Sequence, residues 1–293
     1  EMPKGGKLSL DMMYKTAGIQ INYDYISEKD FEKKFKISNY LVPLTIALFA
    51  NSPFSENKLS GYLSYRGKVW QETNRGGIMP ITFEPLNFEK YIDHAINYPI
   101  LFLKKGEKYH SPNGQTFSDY LNGNLNFLKG VKPTLEDFEN HLGTIFTEVR
   151  LKQVIELRSL DTCNFGCICN GPAFFTGLIY GSLEETYEII KNWKKEEVME
   201  AYFNAPKKGL NTLLNNKKLI DWGRIFLDLS KKGLEKRNEM NKSGKNETIY
   251  LKHIEEIIEN KKTRAEMLIE QFNKVKNLDF LVNHDENFSY SGF

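Results

Sequence analysis

From Ala17 to Tyr25 the chain alternates. Ile19, Ile21, Tyr23 and Tyr25 fall on one face, and Gln20, Asn22 and Asp24 on the other. A period of two is the mark of a strand with one face buried. The same period returns from Ile155 to Arg158 within Val154-Ile155-Glu156-Leu157-Arg158-Ser159-Leu160-Asp161. It predicts a half-buried strand on which Glu156 and Arg158 emerge on the same side, two positions apart.

Between these strands the pattern predicts helices. Ser27 followed by Asp30 opens one by side-chain capping, and a second covers Tyr40 to Phe49, ending at Asn51-Ser52-Pro53-Phe54. Gly61 to Arg66 runs into Val69-Trp70, and Gly76-Gly77 with Pro80 marks a loop. Phe88 to Ala95 reads as helix, Tyr109 to Pro112 with Asn113-Gly114 as a hairpin turn, and Thr116 to Leu121 as a short helix. Thr134-Leu135-Glu136-Asp137 caps a helix carrying Phe138, Leu142 and Ile145.

Beyond the central strand, Cys163 to Gly171 is a loop, and Pro172 to Tyr180 an apolar helix start with proline in its first turn. The rest reads as helical. Ser182 with Glu185 and Thr263 with Glu266 are capping-box spacings. Three apolar stripes read as core: Ile220, Phe226, Leu227 and Leu234; Ile254, Ile257 and Ile258; Met267, Leu268 and Phe272. Lys242 to Asn246 is a solvated loop, and the tail from Val282 is expected to fray. There is no internal repeat.

Composition narrows the classes. Among 293 residues, 40 Lys+Arg face 38 Asp+Glu, a balance that favours neither nucleic acid nor an anionic membrane as partner. The longest apolar run, Tyr40 to Ala50, is too short to span a bilayer and contains Pro43. Three closely spaced cysteines, Cys163, Cys167 and Cys169, do not make the framework of a secreted disulfide-rich domain, so a reducing cytoplasm is expected.

Glu156 beside Arg158 sets a hard oxygen ligand next to a planar phosphate fork, the pairing a nucleoside triphosphate with Mg²⁺ requires. The residues alone favour the plainer reading, a cross-strand ion pair on a solvated sheet face. The cysteine trio has two readings, a zinc or iron–sulfur fragment or an oxidisable loop cluster, and its irregular spacing favours the second. His141 reads as a catalytic base or as a structural histidine on its apolar helix, with the second preferred.

Collinear stretches over nearly the whole chain resemble one family. They include Met2-Pro3-Lys4, Leu10-Asp11-Met12-Met13, Ile19-Gln20-Ile21-Asn22-Tyr23-Asp24, Leu48-Phe49-Ala50-Asn51-Ser52-Pro53-Phe54 and Gly61-Tyr62-Leu63-Ser64-Tyr65-Arg66. Glu139-Asn140-His141-Leu142, Glu148-Val149-Arg150-Leu151-Lys152, Cys169 through Tyr180 and Glu247-Thr248-Ile249-Tyr250-Leu251 continue the match. The family is glutamate–cysteine ligase (γ-glutamylcysteine synthetase) of the plant and proteobacterial type.

The resemblance implies an α+β fold with a glutamine-synthetase-like curved antiparallel sheet lining the active site and helices packed outside. It implies one catalytic domain over residues 1–293, mixed to residue 181 and mainly helical after it. The implied activity joins the glutamate γ-carboxylate to the cysteine amine with ATP and Mg²⁺, the first step of glutathione synthesis. Other acceptors, or a scaffold without turnover, are the alternatives.

By match to family positions, Glu156 holds the metal at the phosphates, and Arg158 contacts those phosphates. Gln20 and Asn22 line the ATP side, and Arg66 meets an anionic carboxylate or phosphate. Met13 and Tyr91 line the cysteine pocket, with His94 competing for the place of Tyr91. Lys15 stands where many relatives carry arginine, keeping the charge without the fork. Cys169 matches a regulatory position whose partner precedes Glu1. The family begins well before Met2, so a strand bearing further metal-binding glutamates is expected to be missing here.

Overall fold

The alternation of Ile19, Ile21 and Tyr23 becomes the strand Gly18–Tyr23 in the computed structural model, which describes residues 2–283. Its three apolar side chains are buried, and Gly18, Gln20 and Asn22 are exposed. Strand order in the sheet is Gly18–Tyr23, Ile155–Asp161, Val149–Leu151. The last two strands are antiparallel, with Arg150 opposite Glu156 and Val149 opposite Leu157. With its helices and small antiparallel sheets the fold is α+β.

One expectation fails here. All seven residues of Ile155–Asp161 are buried, so the strand is not half-exposed. Its charged face is covered as well, because Glu156 and Arg158 meet partners within the protein.

The chain divides into two compact units. The first holds the residues up to Lys15, Asn22–Asn39 and Val69–Arg158. Here Ser27 caps the helix Glu28–Tyr40 by accepting from the Asp30 amide (3.2 Å). That helix carries Phe31 and Phe35 into an aromatic cluster with Tyr25, Phe88 and Tyr91, ring centroids 5.1–6.3 Å apart. A second core gathers Ile100, Leu103, Phe117, Tyr120 and Leu125. The Thr134–Asp137 capping box forms as its spacing requires.

The expected hairpin at Asn113-Gly114 is misplaced. The paired strands are Leu103–Lys105 and Lys108–His110, and their turn passes through Gly106 at φ +58°. Asn113 and Gly114 do take left-handed conformations, but they lead into the helix Phe117–Leu121 rather than into a strand.

The second unit holds Thr16–Ile21, Tyr40–Lys68 and the chain from Ser159 onward. The expected helix over Tyr40 to Phe49 is Val42–Leu48, buried along its whole length, with Pro43 in the first turn where no amide donor is needed. Asn170–Thr176 continues through a π-helical turn, Gly177–Gly181, into Leu183–Ile190. The helix Leu219–Arg237 buries Ile220, Phe226, Leu227 and Leu234, the first of the three stripes.

Ser182 does not cap the helix after it; its backbone is at φ −129°, ψ 39°, and its hydroxyl is turned to the Leu229 carbonyl (3.0 Å). Thr263 does form its capping box with Glu266. The third stripe is not core either, since Met267 is 41% exposed and Ala265 is the buried residue of the helix Arg264–Val275.

Cys163 and Cys167 are joined as a disulfide, leaving Cys169 as an exposed thiol. With two of the three sulfurs bound to each other, the trio lacks the free thiolates that a zinc or iron–sulfur fragment needs. The expected fraying tail lies, beyond Asn283, outside the described residues. No helix among the described residues is long and apolar enough to cross a membrane.

Candidate active site

The site is built on a hairpin whose charges are mirrored with opposite sign about Gln153: Glu148 and Arg150 going in, Glu156 and Arg158 coming out, with Lys152 beside the turn. In the antiparallel register Arg150 faces Glu156, and the Arg158 amide donates to the Glu148 carbonyl (2.8 Å). Residues opposite one another share a face. One face of the hairpin therefore carries two carboxylates and two guanidiniums, all buried.

Glu156 lies at the centre of this grid. Arg150 Nε donates to its Oε2, and Lys152 Nζ stands 3.2 Å from its Oε1. Burial pushes the Glu156 carboxyl upward, and the Arg150 hydrogen bond and charge, with Lys152 behind them, more than offset this. The group lies below the usual carboxylate range and is ionised at neutral pH. Arg150 is itself held, its Nη1 donating to the carbonyls of Gly143 (2.6 Å) and Ile145 (3.3 Å). Arg158 lies over two aromatic rings, its Cζ 4.8 Å from the centroid of Trp70 and 5.7 Å from that of Phe146.

No cluster of three or more His, Cys, Asp or Glu that could hold a metal is found among the described residues. Mg²⁺ takes one or two protein carboxylates and fills its shell with water and substrate phosphate oxygens. At Glu156, Oε2 is held by Arg150, so the metal would need the 38% exposed Lys152 to leave Oε1.

The other sequence-derived candidates are placed unevenly. Asn22 is exposed on the first strand, as is Gln20 in the second unit. Arg66 is buried in the second unit with its guanidinium over Gly18, where a Cβ would stand 2.8 Å from Nε. Met13 is 54% exposed, and Lys15 pairs with Asp11 (3.2 Å) one helical turn back. Tyr91 is deep in the first unit. Its hydroxyl donates to the Leu151 carbonyl (3.1 Å) and accepts from the Leu151 amide (2.8 Å), and burial pushes its phenol far above the usual range. Its competitor His94 is half-buried against Tyr98, and burial lowers its pKa.

Reading the sequence alone assigned no role to Glu148 or Arg150. The signal was the charge complementarity about Gln153, which becomes a contact prediction only once a hairpin turn is placed there.

His141 is a core residue. Its Nε2 lies 2.8 Å from the Ala95 carbonyl, and its ring stacks on Phe117 at 5.0 Å. Burial, aided by the Arg75 charge and opposed by the Ala95 hydrogen bond, holds its pKa down at about 4. Above the ordinary 6.5 the ring is neutral in both folded and unfolded chains. As pH falls from 6.5 to about 4 the unfolded chain takes up a proton that the folded one refuses, so stability drops across that window. The full drop is about 3 kcal/mol on the order of 1.4 kcal/mol per unit. Urea melts at pH 7 and pH 4.5 will show the loss in the wild type, and His141→Gln will remove most of this difference.

An apolar cavity of about 180 Å³ in the second unit is walled by Leu48, Phe49, Ile254, Ile257 and Met267. Its charged groups are the His253–Glu256 pair at the rim, Arg264, and Asp161, whose oxygens are already bonded to Asn51, Ser52 and Ser64. It is no site for a triphosphate.

The sequence profile of glutamate–cysteine ligase family 2 matches residues 1–284. Among curated proteins, the chloroplastic glutamate–cysteine ligase of Solanum lycopersicum is 40% identical over 276 residues, which is 92% of this chain and 52% of the relative. Chloroplastic glutamate–cysteine ligase B of Oryza sativa subsp. japonica is 40% identical over 273 residues, covering 92% and 54%. The Arabidopsis thaliana chloroplastic ligase is 39% identical over 277 residues, covering 93% and 52%. The chain thus spans about half the length of the curated relatives it matches.

Proposed function

Because this chain belongs to glutamate–cysteine ligase family 2, we propose that the complete protein joins the γ-carboxylate of glutamate to the amino group of cysteine at the expense of ATP. The observation that carries the reading is the ionised Glu156 buried against Arg150 and Lys152, on the hairpin face that also carries Arg158.

A free carboxylate does not acylate an amine at neutral pH, because its oxide is a poor leaving group. Transfer of the terminal phosphoryl group to the γ-carboxylate makes an acyl phosphate. The cysteine amine then attacks its carbonyl carbon and expels phosphate. The first step spreads negative charge over the phosphoryl oxygens, and a preorganised guanidinium answers it without reorganisation. Arg158, stiffened over the Trp70 and Phe146 rings, takes that role. Glu156 would hold Mg²⁺, which supplies charge neutralisation at the phosphates when bound.

In the same reading Arg66 grips an anionic substrate group, and Gln20 and Asn22 face the nucleotide. Met13, Tyr91 and Lys15 border the amino acid substrates. Tyr91, its hydroxyl taken by Leu151 and its ring packed on Phe31 and Phe35, would act by supporting the wall of their pocket. No side-chain nucleophile is needed. The sheet is taken as part of a glutamine-synthetase-like curved sheet, and a cytoplasmic location is part of the proposal, whereas the plant relatives above are named chloroplastic.

The test is ADP release by the complete polypeptide encoded by the gene, with ATP, Mg²⁺ and glutamate, with and without cysteine. Turnover that requires cysteine is expected. Release indifferent to cysteine but supported by another amine would replace this reading with a different carboxylate–amine ligase, and no release at all would leave a scaffold.

A further inference from the structure

Asp161 ends the central strand with a fully enclosed carboxylate that serves nothing in the mechanism above. One of its oxygens accepts the Asn51 amide (2.9 Å) and the Ser52 hydroxyl (2.7 Å), and the other accepts the Ser64 hydroxyl (2.8 Å). Each hydroxyl in turn accepts a backbone amide. Ser52 Oγ takes the N–H of Arg66 and Ser64 Oγ takes that of Gly67, both at 3.0 Å. Two relays of the form N–H···O–H···carboxylate therefore tie the first turn of the helix Tyr65–Gln71 to the end of the strand. A third link, the Tyr65 amide to the Ser52 carbonyl (2.9 Å), closes the corner.

The far side of Arg66 is set as closely. A Cβ on Gly18 would stand 2.8 Å from Arg66 Nε, 3.3 Å from its Cζ and 2.8 Å from the Leu160 carbonyl oxygen. The guanidinium thus lies against bare backbone, where only glycine leaves room.

We propose that Asp161 is a positioning residue for Arg66: through the Ser52 and Ser64 hydroxyls it fixes the backbone from which Arg66 reaches its anionic substrate group, with Gly18 as the platform. The proposal rests on the reading of Arg66 as a substrate-carboxylate contact in the ligase reaction. One amide and two hydroxyls converge on the two Asp161 oxygens, and these bonds, with the Arg66 charge, oppose the burial that pushes its pKa up. The two hydroxyl bonds orient each serine so that a lone pair faces the helix amide. Asparagine replaces one acceptor with a donor, so one serine hydroxyl must accept twice, loses the acceptor for its own proton and holds its helix amide less firmly.

The experiment is steady-state kinetics of the complete polypeptide carrying Asp161→Asn, Ser52→Ala, Ser52→Thr or Gly18→Ala. It is read together with hydrogen exchange at the Arg66 and Gly67 amides. Asp161→Asn and Ser52→Ala are expected to raise the glutamate KM by about tenfold, the size of one lost hydrogen bond to a charged partner. The ATP and cysteine KM values stay within about twofold. Ser52→Thr, which keeps the hydroxyl, restores the glutamate KM. Gly18→Ala, which crowds Arg66 and the Leu160 carbonyl together, reproduces the same split.

A loss of thermal stability with an unchanged glutamate KM would overturn the proposal and leave Asp161 a structural cap. If the wild type shows no ligase turnover, the reading beneath fails, and the relay is judged by exchange alone. Amides at Arg66 and Gly67 no faster in Asp161→Asn than in the wild type would then overturn it.

Discussion

Glu156→Gln is expected to abolish ATP-dependent turnover and to destabilise the fold at the same time, for two separable reasons. The amide keeps the shape of the carboxylate but not its charge, so Arg150 Nε and Lys152 Nζ lose their shared counter-ion. Lys152 is 38% exposed and turns to solvent at little loss. Arg150 cannot. Its side chain is 9% exposed and pinned by the Gly143 and Ile145 carbonyls, so an uncompensated guanidinium stays buried. Breaking a buried pair on one side destabilises by about 3–5 kcal/mol.

The catalytic loss has another origin, the missing hard oxygen at the triphosphate. Removing one preorganised charge-stabilising group typically lowers kcat by about 10²–10³-fold. The double variant Glu156→Gln with Arg150→Met separates the two effects. It removes both members of the ion pair and replaces the buried guanidinium with an apolar chain, so the urea midpoint should return most of the way to wild type. Turnover should not return. Retained turnover in Glu156→Gln, measured by ADP release where protein is still folded, would remove Glu156 from the site.

How far the sequence carried this site is seen in the same residues. Glu156 and Arg158 were legible because strand alternation places them on one face without knowledge of any other strand. Arg150 and Glu148 were not, because their partnership depends on register, and register depends on where the turn falls. The turn runs through Lys152 to Val154, closed by the Lys152 amide on the Val154 carbonyl (3.0 Å), and nothing in Lys-Gln-Val is a turn signal. The complete burial of the strand followed from the same missing information, since an ionic face is expected to be wet until its counter-ions are found.

Capping was legible where the cap is local. Thr134 with Asp137 and Thr263 with Glu266 close on themselves. Ser182 with Glu185 has the same spacing, but its hydroxyl is claimed by Leu229, 47 residues away. The Met267 stripe had the right period for a core helix, yet a period says which face turns inward and not whether anything covers it.

Gly233→Ala should be among the most destabilising single substitutions available in the second unit, although local propensity argues the opposite. Gly233 lies inside the helix Leu219–Arg237, where exchanging glycine for alanine ordinarily stabilises by about 0.5–1 kcal/mol. Against that stands a contact with no room to yield. A Cβ there would sit 2.0 Å from the Gly177 carbonyl oxygen and 2.8 Å from its carbon. The approach is reciprocal. A Cβ on Gly177 would be 2.2 Å from the Ser230 carbonyl oxygen, and one on Gly181 2.3 Å from the Cα of Gly233.

These are backbone atoms, so no rotamer change relieves them, and the two segments must separate. Separation breaks the Ser230 hydroxyl bond to the Phe174 carbonyl (2.8 Å) and the Ser182 bond to the Leu229 carbonyl (3.0 Å), leaving buried polar atoms without partners. It also unseats the π-helical turn Gly177–Gly181, whose closing bond from the Ser182 amide (2.9 Å) uses the same Gly177 oxygen that Gly233 approaches. Overpacking alone destabilises by about 1–3 kcal/mol, and each orphaned group adds about 1–3 kcal/mol. The expected net loss of about 3–5 kcal/mol therefore outweighs the propensity gain several-fold. Urea unfolding of Gly233→Ala beside Gly143→Ala, a helical glycine with open space around it, isolates the effect. The first should lower the midpoint steeply while the second holds or raises it. Equal midpoints would mean that the close approach of the two segments is not what holds this part of the unit together.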